Sequence, residues 1–278
     1  MTIALTLLAL LAFAANSILC RLALGAGHID AASFTMLRLL SGAVVLALLV
    51  LLRPAGRRRF GGSWPAALAL AVYAVPFSFA YLQLTAGTGA LLLFGAVQGT
   101  MLAAGLTAGE RPGVVTWVGF AAALLGFLVL VAPGVTAPEP LAALLMAAAG
   151  IAWGVYSLLG RGASDPAAAT AGNFLRAAPL AALVSLIAHA GAHGDTTGAI
   201  LAILSGGVTS GLGYVLWYAI LPRLGAVRAA IAQLAAPAFV ALAGVGWLGE
   251  AATARLAGAA ALILGGVGLA LRGRTGSR

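Results

Sequence analysis

The sequence predicts an all-α polytopic membrane protein, with ten transmembrane helices arranged as an inverted 5+5 repeat. Three observations predict it. Hydrophobic residues make up 63% of the 278 and charged residues 8%, with a mean hydropathy of +1.10. A soluble domain carries roughly 25% charged residues, so this chain has too few to give its core a water-facing surface, and lipid must be its solvent. The apolar residues fall into ten continuous runs, each near the roughly 20 residues that span hydrocarbon as a helix. The runs do not alternate with period two, which favours a helical bundle over a β-barrel. Finally, rare landmarks recur at a fixed offset: Gly109-Glu110 and Gly249-Glu250 lie 140 residues apart.

The first run, 2–24, ends beyond Arg21 in a glycine-containing loop. The second, 31–52, starts after Asp30, a residue suited to cap a helix N-terminus, and stops at Arg53. The third, 64–85, follows Ser63 and carries Pro65 in its first turn, where proline is tolerated. The stretch TAGTG at 85–89 separates it from the fourth, 88–108, which closes on Gly109-Glu110. Arg111 and Pro112 precede the fifth, 113–132. Pro140 opens the sixth, 140–160, and Arg161 ends it. Asp165 and Pro166 open the seventh, 167–189, and Asp195 the eighth, 197–221. The ninth, 228–248, runs into Gly249-Glu250, and the tenth, 252–271, ends at Arg272.

The first run has no Arg or Lys ahead of it and continues past Ala12-Phe13-Ala14 to Leu24. It is therefore expected to be a span and not a cleaved signal. Cys20, preceded by bulky Leu19, is a poor lipoprotein site, and a single cysteine allows no internal disulfide. All fifteen basic residues are arginine and the net charge is +9. With the N-terminus inside, the inner loops and tail hold eleven of them: Arg53, Arg57, Arg58, Arg59, Arg111, Arg161, Arg223, Arg228, Arg272, Arg274 and Arg278. The outer loops hold Arg21 and Arg255. The positive-inside rule then puts both termini in the cytoplasm, in a bacterial inner membrane. The basic excess is thus a topology signal with an attraction to anionic lipid. No basic patch with interleaved aromatics points to nucleic acid.

The repeat extends beyond the Gly-Glu pairs. AFAANSILCR at 12–21 aligns with AWGVYSLLGR at 152–161, matching Ala12 with Ala152, Ser17 with Ser157 and Arg21 with Arg161. Gly126 and Gly266 share the offset. Asp30 and Arg38 in one copy correspond to Asp165 and Arg176 in the other. Two five-helix halves are expected, 1–134 and 138–272, with a cytoplasmic tail over 273–278. Because five is odd, the second half enters from the opposite side. Such inverted repeats typify secondary transporters, with a site near the midplane between the halves.

With this architecture, the chain resembles the EamA-type transporters of the drug/metabolite transporter superfamily over nearly its full length. The resemblance rests on five plus five helices, on the Arg closing helices 1 and 6, and on a proline followed by a small, apolar helix and Gly-Glu, here Pro237 through Gly249-Glu250. The first half departs from that pattern, with Val97 where a proline would align. The resemblance implies export of amino acids or related metabolites from bacteria by alternating access. The aromatic content looks most like the aromatic amino-acid exporters, and carriers of other drugs or metabolites in the superfamily are the alternative.

Candidate substrate-binding residues are aromatic and amide side chains within the runs. Tyr73, Phe77 and Tyr81 share a helix face at i, i+4 and i+8. Trp153 and Tyr156 lie on helix 6, and Tyr214, Trp217 and Tyr218 on helix 8. Asn16, Ser78, Gln98, Ser210 and Gln233 are deep uncharged polar groups. Rings could stack on an aromatic solute and amides hold its polar groups. Two plainer readings stand beside this one. Tyr81, Tyr156, Trp217 and Tyr218, like Trp64, Trp117 and Trp247, fit an interfacial belt. Tyr73, Trp153 and Tyr214 also fit a packed core, while Asn16 and Gln233 fit interhelical glue. Pro76 and Pro237 each free a backbone carbonyl and are candidate hinges.

Glu110 with Arg161 at the inner side and Glu250 with Arg21 at the outer side form candidate gating pairs. The alternative is four unrelated interfacial charges. Arg38 and Arg176 lie within apolar runs, where charge is expensive, and are read as structural, with Arg38 snorkelling towards Asp30. Nothing carries an enzyme signature: HExxH, GxSxG and GxxxxGK[ST] are absent, and three His with one Cys make a metal site improbable. No cofactor is implied. A channel is disfavoured because filters usually arise from oligomer symmetry, whereas an internally repeated chain is compatible with a monomer. The partners expected are a small-molecule substrate and membrane lipid.

Overall fold

A computed structural model describes residues 2–57, 59–107, 111–132, 134, 137–233, 235–272 and 275–276. In chain order it contains α1 (Thr2–Gly25), α2 (Ala31–Leu51), α3 (Trp64–Ala80), α4 (Ala86–Thr107) and α5 (Val114–Val131). There follow α6 (Pro140–Gly160), α7 (Pro166–Ile187), α8 (Thr196–Leu204), α9 (Gly213–Gln233), α10 (Ala235–Leu248) and α11 (Ala254–Arg272). Between α8 and α9, residues Ser205–Leu212 wind as a π-helix. Five segments are long and apolar enough to cross a membrane, among them Thr196–Pro222, which joins α8, the π-helix and the start of α9. Five shorter apolar helices complete the ten. Apart from isolated pairing, the only strand-like contact among the described residues joins Arg111–Pro112 to Thr275–Gly276.

Local chemistry accounts for most helix starts. Asp30, Ser63, Asp165 and Asp195 accept hydrogen bonds from the backbone N–H of Ser33, Ala66, Ala168 and Gly198, satisfying first-turn donors of α2, α3, α7 and α8. Burial pushes the Asp165 carboxyl up, but the Ala168 N–H and the adjacent Arg53 together hold it below the usual carboxylate range. Glu139 caps α6 in the same way.

Two boundaries differ from those predicted. The third helix was expected to reach residue 85 but ends at Ala80, and a turn leads to α4 at Ala86. The cause lies far away in sequence. Glu250 accepts from the backbone N–H of Ala86 at 2.7 Å and of Gly87 at 3.4 Å, capping α4, while Arg21 Nη1 donates to the Tyr81 carbonyl at 3.1 Å. The predicted gap at 222–227 is instead occupied by α9, which runs from Gly213 to Gln233. The helix is nonetheless not straight. The Trp153 ring lies 4.5 Å from the Tyr214 ring and its Nε1 donates to Gln233 Oε1 at 3.3 Å, whereas a straight helix would separate positions 214 and 233 by about 28 Å.

The packing has the symmetry of an inverted repeat. α2 packs on α7, α5 on α11 and α4 on α10, each helix on its counterpart. α3 on α6 is mirrored by α1 on the Thr196–Pro222 span. The α5–α11 seam reproduces the 140-residue offset: a Cβ at Gly126 would meet Leu262 and Ile263, and one at Gly266 would meet Ala122 and Ala123. Reciprocal contacts of this kind are what a two-fold relation generates. Gly150 and Gly154 similarly let α6 approach α4 at Leu93, Ala96 and Thr100.

Gly266→Ala should destabilise the protein, because its Cβ would stand 2.5 Å from the Ala123 nitrogen. Overpacking of this kind costs about 1–3 kcal/mol. Gly268→Ala, on the same helix with nothing within 4 Å, should leave the melting temperature unchanged or raise it. Thermal unfolding of both variants in detergent, followed by fluorescence, checks the contrast.

Candidate functional site

The centre of the bundle is organised by a cation. Arg38 lies two turns inside α2 and is fully buried. It does not reach towards Asp30, as the snorkelling expectation had it. Its Nε donates to Ser210 Oγ at 3.0 Å, and its Nη2 donates to the hydroxyls of Tyr73 at 2.8 Å and Tyr214 at 2.9 Å. The guanidinium carbon stands 5.1 Å from the Tyr73 ring centre and 5.0 Å from that of Phe77, within range of a cation–π contact. The reason is geometric: α2 packs against the π-helix, bringing Arg38 within reach of Ser210, whereas Asp30 is occupied by the N–H groups of Ser33 and His193. Among the described residues no carboxylate pairs with Arg38; the ion pairs are Arg21–Glu250, His28–Asp195 and Arg53–Asp165.

Asn16 joins this cluster from α1. Its Nδ2 donates to the Tyr73 hydroxyl at 3.3 Å, and its Oδ1 accepts from Ser205 at 2.7 Å, Ser210 at 3.2 Å and Thr209 at 3.4 Å. Three of these partners sit on the π-helix, a rare geometry that often marks functional sites. Gly206 permits it, since a Cβ there would collide with the Arg38 carbonyl and Ser41.

Next to the cluster lies a small cavity with room for about one water molecule. Asn16, Tyr73, Phe77, Trp153 and Tyr214, all expected from the sequence, line it together with Phe13, Ser17, Leu93 and Phe94. Phe13 meets Trp153, Tyr214 and Trp217 edge-on at 5.4, 6.0 and 5.4 Å. The other candidates lie outside the lining. Gln98 is buried in α4, further along than Leu93 and Phe94. Gln233 touches the site through Trp153. Tyr156 stacks on Tyr218 at 5.2 Å, and Trp217 backs Phe13. Tyr81 stands at the C-terminal end of α3 with its ring over Gly89. Tyr81, Tyr156, Trp217 and Tyr218 are all buried, which removes them from an interfacial belt; Trp64, Trp117 and Trp247 are 59%, 48% and 83% exposed and fit one. Pro76 falls inside α3, one turn from Tyr73, and Pro237 is buried near the start of α10.

Near the C-terminal end of α1, Arg21 Nε lies 3.6 Å from Glu250 Oε1, close enough for an ion pair though long for a hydrogen bond. Arg161 is exposed at the C-terminus of α6, and Glu110 lies outside the described residues. Arg176 donates to the carbonyls of Gly61 and Gly172 at 2.8 Å, tying α7 to the segment before α3. The central residues missed in the sequence are Arg38, Ser205 and Thr209. The signal for Arg38 was present, a lone charge in an apolar run; for the two hydroxyls there was none.

A family model described as the EamA-like transporter family matches residues 140–272. An uncharacterised protein of Pseudomonas aeruginosa is 53% identical over 275 residues, an alignment spanning 99% of this chain and 96% of that one. A solved crystal structure superposes with a TM-score of 0.68 at 24% identity, covering 96% of this chain and 98% of the other. At that identity the likeness is one of fold.

Asn16→Ala should lower the melting temperature, because several buried hydroxyls lose their acceptor, at about 1–3 kcal/mol for groups left unsatisfied. Thr209→Val should cost less, since it removes the hydroxyl itself and leaves Asn16 Oδ1 with its bonds from Ser205 and Ser210. Thermal unfolding of the two variants in detergent ranks them.

Proposed function

The chain belongs to the EamA-like transporter family, and from that premise we propose that it exports amino acids, aromatic ones foremost, or related small metabolites by alternating access. It is a multi-pass membrane transporter. The observation that carries the finer reading is the central cavity, whose walls are aromatic and whose floor is polar, with Tyr73 and Asn16 contributed by one half and Trp153 and Tyr214 by the other. An aromatic side chain matches such walls, and a site shared between halves opens to either side when one half rocks against the other.

The halves that rock are 1–134 and 138–272, both termini are cytoplasmic, and the membrane is the bacterial inner membrane. The arginine asymmetry supports this orientation. Arg21 and Glu250 act as the outer latch. Their attraction is worth about 0–1 kcal/mol if well solvated and more where water is scarce. Glu250 also caps α4, so opening the latch loosens the start of a helix that lines the cavity. Pro76 and Pro237 are the hinges. Carriage of other drugs or metabolites by the same route is the second reading.

Counterflow into proteoliposomes tests the substrate class. Saturable uptake, stimulated from the opposite side by phenylalanine, tyrosine or tryptophan, is expected. Trans-stimulation by other solutes but by no amino acid moves the assignment to the second reading, and flux without saturation or trans-stimulation points to a channel.

The latch is tested by charge. Glu250→Ala should slow counterflow more than Glu250→Gln, which keeps an acceptor for α4. Glu250→Arg should impair transport, and adding Arg21→Glu should recover part of it. A double variant no better than either single one, at equal expression, removes the latch.

A further inference from the structure

We propose that Arg38 is the anion-binding group of the transport site, taking a carboxylate of the solute while the aromatic walls hold its apolar part. The inference rests on the transporter reading above and narrows its substrate class to carboxylates. Its basis is an inventory of hydrogen-bonding capacity around the guanidinium.

The cluster has a surplus of donors. Arg38 Nη1 is buried with no hydrogen-bond partner among the described residues, on the same planar group whose Nη2 binds Tyr73 and Tyr214. The two tyrosine oxygens are 3.1 Å apart and share a single O–H···O bond. Whichever phenol donates, the other's proton has no acceptor in that pair, because a single O···O contact holds only one proton. Asn16 Oδ1, the amide acceptor of the cluster, is taken by hydroxyls of the π-helix. Surplus N–H and O–H donors with no free acceptor fit a group that only accepts, and an ionised carboxylate is such a group. Its two oxygens match the planar fork of a guanidinium.

Charge points the same way. A buried cation without a carboxylate partner is expensive. Hydroxyls and two rings solvate it, but none of them neutralises it. A solute carboxylate would do both, and would do so only while bound between Tyr73 of α3 and Tyr214 of α9. Those rings also line the cavity, while Arg38 itself does not, so the two tyrosines stand between the guanidinium and the aromatic walls. The cavity is closed down to about one water. The halves must therefore part to admit the solute, separating Tyr73 from Trp153 and Tyr214.

The test uses the purified full chain in detergent, with binding read from quenching of intrinsic tryptophan fluorescence. The probes are 3-phenylpropionate, L-phenylalanine, L-phenylalaninamide and 2-phenylethylamine, with sodium chloride as the inorganic-anion arm. Wild-type protein should bind the two carboxylates more tightly than the amide or the amine. Arg38→Gln should weaken carboxylate binding about 10- to 100-fold, the value of a charge-assisted hydrogen bond, and change amide binding less than about two-fold. Arg38→Lys, which keeps the charge but not the fork, should retain the preference at reduced affinity. If Arg38→Gln does not fold, the wild-type preference and Arg38→Lys carry the result. No preference for carboxylates in the wild type, or a preference that survives Arg38→Gln, overturns the proposal. So does chloride that competes equally with 3-phenylpropionate. Counterflow separates this outcome from the transporter reading: a carrier that moves aromatic amines or amides but not carboxylates keeps that reading and loses this one. Carboxylate binding that depends on Arg38 without counterflow does the reverse.

Discussion

A guanidinium buried two turns inside a lipid-solvated bundle is the constraint to which the centre of this protein conforms. Placing arginine deep in a membrane helix costs about 2.5–3.5 kcal/mol on insertion scales, and much more if nothing solvates it. Hydrogen bonds to a charged group are worth about 1.5–3 kcal/mol each, so the three that Arg38 makes are of the size needed. They come from three separate elements: Ser210 on the π-helix, Tyr73 on α3 and Tyr214 on α9. Solvating one side chain on α2 therefore fixes how four segments meet.

That requirement explains features that look unrelated along the chain. Gly206 and Gly207 lie against Arg38, Ser41 and Val45, which brings the π-helix close enough to α2 for Ser210 to reach the guanidinium. The π geometry in turn presents Ser205, Thr209 and Ser210 to Asn16 of α1. Asn16 and Arg38 share the Tyr73 hydroxyl, so α1 enters the same network. The aromatic rings pack around these polar groups at centroid distances of 4.5–6.4 Å, the range in which aromatic pairs attract.

The periphery follows a different rule. α5 and α11 meet through Gly126 and Gly266 in reciprocal contact, a seam of small residues that needs no polar partner. Near the C-terminal end of α3, Glu250 binds the first N–H groups of α4 while Arg21 holds the carbonyl of Tyr81. This joins α1, α4 and α10 around the turn that follows α3. Tyr81 packs against Phe77 at 4.8 Å, and Phe77 against Tyr73 at 5.2 Å. The Arg21–Glu250 contact and the central cluster are thus linked through one face of α3, a contiguous route of packed rings.

Much of this was legible in the sequence because the signals are local or repeated. Apolar run length set the number of spans, and Asp30, Ser63, Asp165 and Asp195 marked helix starts that the fold uses. The 140-residue offset related Gly126 to Gly266 in the sequence, and the fold sets the two in reciprocal contact. Tyr73, Trp153 and Tyr214 were identifiable as deep rings suited to one shared site, but which rings and hydroxyls touch there was not, since they lie on helices far apart in the chain. What only the tertiary structure decided depends on partners from distant segments. Glu250 caps the start of α4 from 164 residues away, a bond that no local pattern encodes. Gln98 is buried but falls outside the cavity lining, because burial and facing the cavity are set by packing and not by residue type. Arg38 was visible as an anomaly, but its role turned on Ser210, 172 positions along the chain. The sequence placed a charge within an apolar run, and the assembled fold decided that it is buried and which groups surround it, because solvation inside a membrane is supplied by whichever helices pack alongside.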